Sequence, residues 1–356
     1  MLPAFLYETF RHEIGFAMAA TYKDIRRVTG LSLATISKYF NGGNVIHNNR
    51  VLIEQATRDL GYQVNDVARG LRSRRSMTLG VVLAELNSTF YTTIISTMEE
   101  KLRDAGYGTI ICDSRDSAET EAEAIRFLIG KMVDGIVIMP VGDEVVGLAA
   151  AAERGVPVVA VDRAITNAAV DTVVIDNRAA IASAVDLLAG AGHVDIGLLA
   201  GPDTIFTMRE RRLGFREAMK RHTGRLPRRT FTQPDPVSIQ GGYQGLRRLL
   251  ALEPRPTAVV CANYEFTVGA TVAINELSPD APVPAIVGFD NLDLARIIRP
   301  RPTLVAQPVA QIAVRAAELI LDRIASTAPL EPRTVVLQSE LVVGDPATYA
   351  FREGRR

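Results

Sequence analysis

The chain has 356 residues, of which 47% are hydrophobic and 22% are charged, with a formal net charge of zero. These values are ordinary for a globular protein of two or three folded units. No stretch approaches the roughly 18 consecutive apolar residues of a membrane helix, and the charged residues among the first twenty exclude a secretion signal. Cys112 and Cys261, the only cysteines, lie in apolar runs, which is typical of thiols in a reducing compartment. We therefore expect a cytoplasmic protein that does not bind membranes.

Charge is unevenly distributed along the chain. Residues 21–76 hold ten Lys or Arg against four acids, a net charge of +6, so the rest of the chain carries −6. A basic segment on an acidic body is typical of a protein that meets a polyanion with one part only.

Short helices are predicted within this basic segment. Thr21, followed three residues later by Asp24, is a helix-start pattern, and Gly30 ends that helix. After a tight turn, Ser32 can cap a second helix from Leu33 to Phe40.

A third helix is predicted from about His47 to Leu60, capped by His47 or Asn48. The apolar positions expected to pack the three helices together are Ile25, Val28, Val51, Ile53, Ala56 and Leu60. Two short helices around a glycine-containing turn, followed by a third, are typical of a helix-turn-helix. By spacing alone, a generic three-helix domain fits equally well.

The segment after these helices, Asn65 to Arg74, is short and basic, and Gly70 weakens it as a helix. It is well below the roughly 12–15 residues that form a helix alone in water. Read alone, it is either a solvated linker or a helix that orders only with support.

Apolar strands alternate with amphipathic helices from Leu79 onward, in two series. The first series has strands at Leu79–Leu83, Thr109–Cys112, Gly135–Met139 and Val158–Val161, with helices near Phe90–Ala105, Ala118–Lys131 and Val145–Arg154. The second has strands at Ile196–Ala200, Ala258–Cys261 and Ala285–Gly288, with helices near Arg178–Ala191, Thr207–His222, Ile239–Leu252 and Glu265–Leu277. This alternation predicts two doubly wound α/β lobes with a ligand crevice at the carboxyl ends of their parallel strands.

The run TYKDIRRVTGLSLATISKYFNG resembles the head of the lactose-repressor (LacI/GalR) family, whose pattern is roughly T-x-x-D-V-A-x-x-A-G-V-S-x-x-T-V-S-R-x-L-N. The likeness continues through Leu60-Gly61-Tyr62 into Val67–Arg72, which resembles the hinge of that family. The resemblance implies a set of DNA-binding residues: Thr21, Tyr22, Ser32, Leu33, Ala34, Thr35, Ser37, Lys38, Asn44, Arg69, Leu71 and Arg72.

By family position, Leu33, Ala34 and Lys38 would face base edges, while the hydroxyl residues of the second helix would hold phosphates. Lys38 could reach a guanine or simply contact a phosphate. In the hinge, Leu71 would act as an apolar wedge in the minor groove, with the flanking arginines on phosphates.

The α/β body also resembles the sensor domain of this family, which is periplasmic-binding-protein-like. The matching motifs include Asn87–Tyr91, Gly192–Gly197, Arg209–Phe215 and Ala262-Asn263, with Thr89 and Tyr264 replacing the usual proline and aspartate. The implied effector-binding residues are Ser88, Tyr91, Arg163, Asp176, Arg211, Asn263, Asp290 and Gln307.

The chemistry of these side chains fits a sugar, a sugar derivative or another small polyol. Arg211 offers a planar donor fork, and Asp176 and Asp290 are acceptors suited to paired hydroxyls. Alternatively, the two aspartates cap helices or pair with Arg211. Val237 stands where relatives have a stacking aromatic, which argues against a purine. His193 is expected to be structural.

The resemblance implies a homodimer that binds a double-stranded, pseudo-palindromic operator in the bacterial nucleoid under the control of a sugar-like effector. No nucleotide loop, nucleophile motif or metal-ligand spacing is present in the sequence, so we expect neither an enzyme nor a cofactor or metal. A transport-class binding protein would need a secretion signal and would not use residues 21–76.

The predicted organisation has five parts. Residues 1–20 are an extension, either disordered or a misassigned start with translation beginning at Met18. Residues 21–64 form the all-α helix-turn-helix head, 65–76 the hinge, 77–345 the two-lobed effector-binding and dimerisation domain, and 346–356 a tail without the leucine heptads of a tetramerisation segment.

Overall fold

The computed structural model describes residues 20–40, 43–62, 75–278, 281–290, 297–328 and 330–351. The chain divides into two compact units between Ser76 and Met77, here called the head and the sensor domain. The predicted hinge contacts of Arg69, Leu71 and Arg72, like most of the N-terminal extension, lie outside the described residues.

The head contains the three predicted helices, α1 (Tyr22–Thr29), α2 (Leu33–Phe40) and α3 (His47–Asp59). The predicted start of α1 is confirmed, since the backbone N–H and hydroxyl of Thr21 both donate to the Asp24 carboxylate. Gly30 ends α1 in the left-handed conformation, with φ of 70°, which only glycine adopts without steric cost.

One side of each short helix forms the core of the head. Ile25, Ile36 and Ile53 are fully buried, but Val28 and Val51 are 56% and 48% exposed, so their predicted place in the core was wrong. Three helices this short bury only one row of apolar side chains between them, and Val28 and Val51 lie outside that row.

The predicted cap of α3 was also wrong. Ile46 precedes the helix and makes no side-chain capping bond, while His47 and Asn48 lie inside the first turn. The first N–H groups of α3 are therefore left without the side-chain partner that a Ser, Thr, Asp or Asn would give.

The described strands of the sensor domain are β1 (Thr78–Leu83), β2 (Gly108–Asp113), β3 (Gly135–Ile138), β4 (Val158–Val161), β5 (Asp171–Ile175), β6 (Ile196–Leu199), β7 (Ala258–Cys261), β8 (Ala285–Phe289), β9 (Thr303–Ala306), β10 (Thr334–Leu337) and β11 (Glu340–Val342). The helices are α4 (Thr89–Asp104), α5 (Ala118–Gly130), α6 (Leu148–Glu153), α7 (Asn177–Gly190), α8 (Phe206–Thr223), α9 (Ile239–Leu250), α10 (Tyr264–Asn275) and α11 (Val309–Ala325). Short 3₁₀ turns lie at Arg229–Phe231 and Pro346–Thr348.

The strands form two sheets, as the alternation predicted. The first lobe has a six-stranded parallel sheet in the order β10-β5-β4-β3-β1-β2. The second has a five-stranded sheet in the order β11-β9-β8-β7-β6, in which only β11 is antiparallel to its neighbour. Strands that are buried along their length, such as β3, β4 and β7, explain the continuous apolar runs.

The chain passes between the lobes three times: from β5 into α7, from β9 into α11, and from β10 into β11. Helix α11 returns to the first lobe, where it packs on α4 and on β3, β4 and β5. The crossings place Asp176, Asn177 and Gln307 at the junction of the two lobes.

Some elements differ from those predicted. Strands β5, β9, β10 and β11 and helix α11 were not assigned as elements, and α6 begins three residues later than predicted. Gly147 precedes α6 with φ of 103°, so the chain turns sharply there and Val145 lies before the helix. Within the described ranges, every helix is too short or too polar to cross a bilayer.

The described end of the chain packs against the second lobe. His193 is buried, with Nδ1 2.9 Å from Thr257 Oγ1 and Nε2 3.0 Å from the Tyr349 carbonyl oxygen. Phe351 lies edge-on to the His193 ring. His193 is structural, as predicted, and joins residues of the predicted tail to the sensor domain.

Candidate functional site

A cleft between the two lobes brings together seven of the eight predicted effector residues: Ser88, Tyr91, Arg163, Arg211, Asn263, Asp290 and Gln307. Most of them directly follow the carboxyl ends of strands, where ligands bind in doubly wound folds. The cleft holds about 650 Å³ of empty space including its solvent-open mouth, a size suited to a small molecule.

Arg211 lies on α8 at the back of the cleft. Its Nε donates to Asn177 Oδ1 at 2.8 Å, one terminal nitrogen donates to the Ala262 carbonyl at 2.5 Å, and the other lies 3.5 Å from Gln307 Oε1. The guanidinium also stacks on the Phe289 ring at 3.9 Å. Arg211 therefore holds two of the chain crossings together while one edge of its fork lines the cleft.

Asp290 follows β8 and faces the cleft beside Gln307. The Gln307 amide donates to both carboxylate oxygens, at 2.9 and 2.8 Å. Burial raises the pKa of Asp290 to about 7, because its effect exceeds the opposing effects of Arg211 and Gln307, and Asp162 and Glu265 raise it further. A carboxylate held this way keeps lone pairs for ligand hydroxyls.

Arg163 and Tyr91 line the first-lobe wall. One terminal nitrogen of Arg163 donates to the carbonyls of Pro140 and Val141, at 2.9 and 2.7 Å. The Tyr91 hydroxyl donates to Asp162 at 3.1 Å, and burial raises the pKa of Tyr91. The Arg163 Nε is buried without a hydrogen bond, 3.7 Å from the Asp162 carboxylate.

Glu121, a residue that the sequence reasoning missed, supports Arg163 from behind. It is buried on α5 and accepts from the Val141 N–H at 2.7 Å, and burial raises its pKa. The Glu121 carboxyl thereby fixes the loop at Pro140 and Val141, whose carbonyls orient the Arg163 guanidinium.

Asp176 does not line the cleft. Its carboxylate caps α7 by accepting from the Ala179 N–H at 3.0 Å, which is the alternative role predicted for it. Asn263 combines two roles: it caps α10 through the Phe266 N–H, donates to Glu265 at 2.6 Å, and still lines the cleft.

Sequence reasoning also missed four acidic residues on the cleft wall: Glu85, Asp116, Asp162 and Glu265. Each follows the end of a strand by one to four residues, after β1, β2, β4 and β7. A survey of polar residues just beyond every predicted strand would have found them, since these positions converge at one edge of a parallel sheet.

An ion pair also joins the two lobes. Arg209 of α8 lies 2.7 Å from Asp143, which follows β3 in the first lobe. This bond breaks if the lobes separate, so it contributes to the closed arrangement.

In the head, α2 presents an exposed surface of both polar and apolar side chains. Ser32, Leu33, Ala34 and Lys38 are exposed, and the Ser32 hydroxyl caps the helix by accepting from the Thr35 N–H at 3.1 Å. Exposed side chains on the second helix are what a helix needs to enter a major groove.

The remaining predicted head residues are more varied. Thr21 and Asn44 are exposed and Ser37 is half-buried. The Tyr22 ring stacks on Phe40 with centroids 5.3 Å apart, and Tyr62 packs beside both. Tyr22 is therefore part of the packing of the head, in addition to any contact it makes with DNA.

The two-lobed fold with its polar cleft defines this chain as a ligand-binding protein of the periplasmic-binding-protein-like class, with a small helical head. Residues 76–334 match the family described as periplasmic binding proteins and sugar binding domain of LacI family. This match covers more than half of the chain, which therefore belongs to the LacI/GalR family of transcriptional regulators.

Similar proteins fit this assignment. The HTH-type transcriptional regulator RegA of Clostridium saccharobutylicum is 29% identical over 331 residues, covering 91% of this chain and 98% of RegA. The structure of the transcriptional regulator CelR–cellobiose complex is 27% identical with a TM-score of 0.69, covering 91% of this chain and 99% of CelR. The Lac repressor dimer bound to operator and the anti-inducer ONPF is 22% identical, with a TM-score of 0.81 over 94% of this chain and 100% of that one, which shows the shared fold.

Proposed function

We propose that this protein is a transcriptional repressor that binds a pseudo-palindromic DNA operator as a homodimer, under the control of a small polyol, a sugar or sugar derivative. The observation that carries the proposal is that one chain combines a basic head, whose second helix is exposed, with a cleft lined by converging donors and acceptors.

Charge and exposure support DNA binding by the head. The predicted base-facing residues Leu33, Ala34 and Lys38 are all exposed on α2, and the basic segment 21–76 carries a net charge of +6. Lysine and arginine on a polyanion release counterions, which supplies most of the salt-dependent affinity. The apolar side chains of Leu33 and Ala34 can contact thymine methyl groups.

The arrangement of the cleft supports a polyol effector. Arg211, Asp290 and Gln307 form a continuous set in which donors and acceptors are already oriented by one another. Phe90 and Tyr264 also line the cleft, and preorganised polar groups beside aromatic rings are suited to a molecule with hydroxyls on one edge and carbon on its faces.

Exposed apolar side chains support a dimer. β2 is the edge strand of the first sheet, and Ile111 on it is exposed, as are Phe127 and Met132 at the end of the neighbouring helix α5. We propose that a second copy covers this face, because two heads on a two-fold axis are needed to read two half-sites.

Effector binding would act through the relative position of the lobes. The Arg209–Asp143 ion pair and the crossings held by Arg211 are the described contacts that change if the cleft opens or closes. The effector can shift DNA affinity only by the difference in its own affinity for the two arrangements.

The test is selection of DNA from a random duplex library by the full chain, followed by binding measurements at fixed salt. We expect a pseudo-palindromic site bound at least a thousandfold more tightly than random DNA, two subunits per site by analytical ultracentrifugation, and a shift in affinity with a cleft ligand. Leu71→Ala should weaken specific binding, with Leu226→Ala, an exposed leucine of the sensor domain, as the matched control. Absence of any preferred site, with and without sugars, would overturn the proposal.

A further inference from the structure

The second helix of the head begins with two exposed apolar side chains. Leu33 and Ala34 are the first two residues of α2, and both are exposed, Leu33 by 37%. Ile36 of the same helix is fully buried in the core of the head. Leu33 is therefore a large apolar side chain that the fold of the head leaves available to a partner.

The hydroxyl groups near this apolar pair are bonded within the head. The Ser32 hydroxyl accepts from the Thr35 N–H at 3.1 Å and lies 2.9 Å from the Thr35 hydroxyl. At the other end of α2, the Tyr39 hydroxyl donates to Glu54 at 3.0 Å. The beginning of α2 therefore offers mainly carbon to a molecule that approaches it.

The sequence of α2, LATISKYF, also lacks the side chains that read bases through paired hydrogen bonds. Arginine contacts guanine in this way, asparagine and glutamine contact adenine, and acidic side chains accept from cytosine. Lys38, which lies one helical turn after Ala34 on the same face, carries the only charge on the helix. Readout by a charged side chain of α2 is thus limited to one flexible ammonium group.

The major groove of DNA offers one kind of apolar group to such a surface. Base edges there consist of hydrogen-bond donors and acceptors, apart from the C5-methyl group of thymine. The N-terminal residues of a recognition helix are the ones that meet base edges, and in α2 these are Leu33 and Ala34. A leucine pressed against a polar edge would bury donors or acceptors without partners, whereas a methyl group has none to lose.

We propose that Leu33, with the small Ala34 beside it, reads a 5-methyl group on a pyrimidine, so that each half-site of the operator carries a thymine whose methyl group contacts Leu33. The inference rests on the proposed function, because it assumes that α2 enters the major groove of an operator. It also implies that 5-methylcytosine, which carries the same methyl group, is bound more tightly at that position than cytosine. Methylation of a cytosine there would therefore strengthen binding.

The first experiment removes the methyl group and nothing else. In the operator selected from the random library, each thymine is replaced in turn by deoxyuridine, which keeps every hydrogen-bonding group of thymine. Binding of the full chain is measured by fluorescence anisotropy at fixed salt. We expect affinity to fall by about fourfold, the equivalent of one buried methyl group, at one thymine in each half-site, at positions symmetric about the centre of the operator.

Leu33→Ala then identifies the side chain that reads this methyl group. In this variant, the difference between thymine and deoxyuridine at the sensitive position should be lost, and the melting temperature should stay the same because the leucine is exposed. Leu52→Ala, which shortens a leucine of α3 that is 47% exposed, is the matched control in the head. It should keep the full difference.

A second comparison holds the base pair constant. With cytosine or 5-methylcytosine at the sensitive position, the wild-type chain should bind the methylated duplex about fourfold more tightly. Leu33→Ala should bind the two duplexes equally.

Three results would each overturn the inference: equal binding to thymine and deoxyuridine at every position, a difference that Leu33→Ala leaves intact, or no gain from 5-methylcytosine. In all three cases the operator would still be preferred over random DNA, so the proposed function would stand. Failure to select any preferred site would overturn both, which keeps the two failures distinguishable.

Discussion

The head and the cleft both present polar side chains, but they hold them differently. On α2 of the head, Lys38 projects into solvent and Ser32 bonds only within its own turn. In the cleft, Arg211 bonds to Asn177 and Ala262 from two other segments of the chain.

The contrast follows from what we propose that each surface meets. DNA is a large, rigid polyanion that supplies its own order, so exposed side chains can be arranged at the moment of contact. A small polyol offers few contacts and binds well only where the protein side chains are already fixed. We therefore expect substitutions in the head to change binding with little effect on stability, and substitutions in the cleft to change both.

The largest effect is expected for Arg211→Ala. The change removes the donors of the Asn177 and Ala262 oxygens and the stacking partner of Phe289, leaving buried acceptors unpaired. The free energy of unfolding should fall by about 3 kcal/mol, and the response to effector should be lost. Urea denaturation measures the first and DNA binding with effector the second.

Arg216→Ala, an exposed arginine on the same helix, is the matched control and should leave both properties unchanged. Wild-type stability in Arg211→Ala would show that the bonds at the crossings contribute little, and the contrast between the two regions would fail.

A smaller effect, on DNA binding alone, is expected for Lys38→Ala. Operator affinity should fall about tenfold, and the melting temperature should stay the same because the side chain is exposed. If Lys38 contacts a phosphate, the loss is equal for all sequences and the salt dependence becomes shallower by about one counterion. If it reads guanine, the loss is confined to operators that carry that base.

Lys220→Ala, on the exposed face of α8, removes the same charge from the sensor domain. Because Lys220 lies outside the head, this control should leave operator affinity unchanged. A fall in melting temperature for Lys38→Ala would contradict the separation of binding from stability in the head.

The smallest effect is expected from the ionisation of Asp290. Its pKa of about 7, raised from the ordinary 3.8, means that the folded protein keeps a proton that the unfolded chain has lost. Stability should therefore fall as pH rises from about 4 to about 7 and stay level above that. Because the half-buried carboxylate keeps some hydration, we expect about 1 kcal/mol.

Asp290→Asn should remove this slope and be the more stable protein at pH 8, measured by urea denaturation at pH 5 and pH 8. Asp203→Asn, a mostly exposed carboxylate of the second lobe, is the control and should retain the slope. An equal dependence of stability on pH in wild type and Asp290→Asn would show that the pKa of Asp290 in the folded protein is close to its ordinary value.

Much of this could be predicted from residues that are close together in sequence. The capping pair Thr21–Asp24 and the stop at Gly30 identify α1, and continuous apolar runs identify the buried strands β1, β3, β4, β6 and β7. The order of strand and helix then predicted a cleft at the strand ends, and seven of the eight effector residues that the family resemblance implied lie there. Patterns of this kind act through backbone hydrogen bonds and burial within a few turns, so they are readable locally.

Other features required the tertiary structure. The edge strand β10 alternates between exposed and half-buried residues, so its sequence resembles a loop, and only its register with β5 makes it a strand. Val28 and Val51 are apolar like core residues, but they are exposed. How many apolar side chains the small core of the head can bury is decided by the packing of its three helices together.

The sequence by itself determined the two-part organisation and the fold class, because these depend on periodicity, capping and composition, while the resemblance to the family supplied seven of the residues that line the cleft. Only the tertiary structure decided that Asp176 caps a helix and that Glu85, Asp116, Asp162 and Glu265 line the same cleft. The convergence of these side chains depends on distances in space between groups up to 180 residues apart, and no local pattern in a chain records those distances.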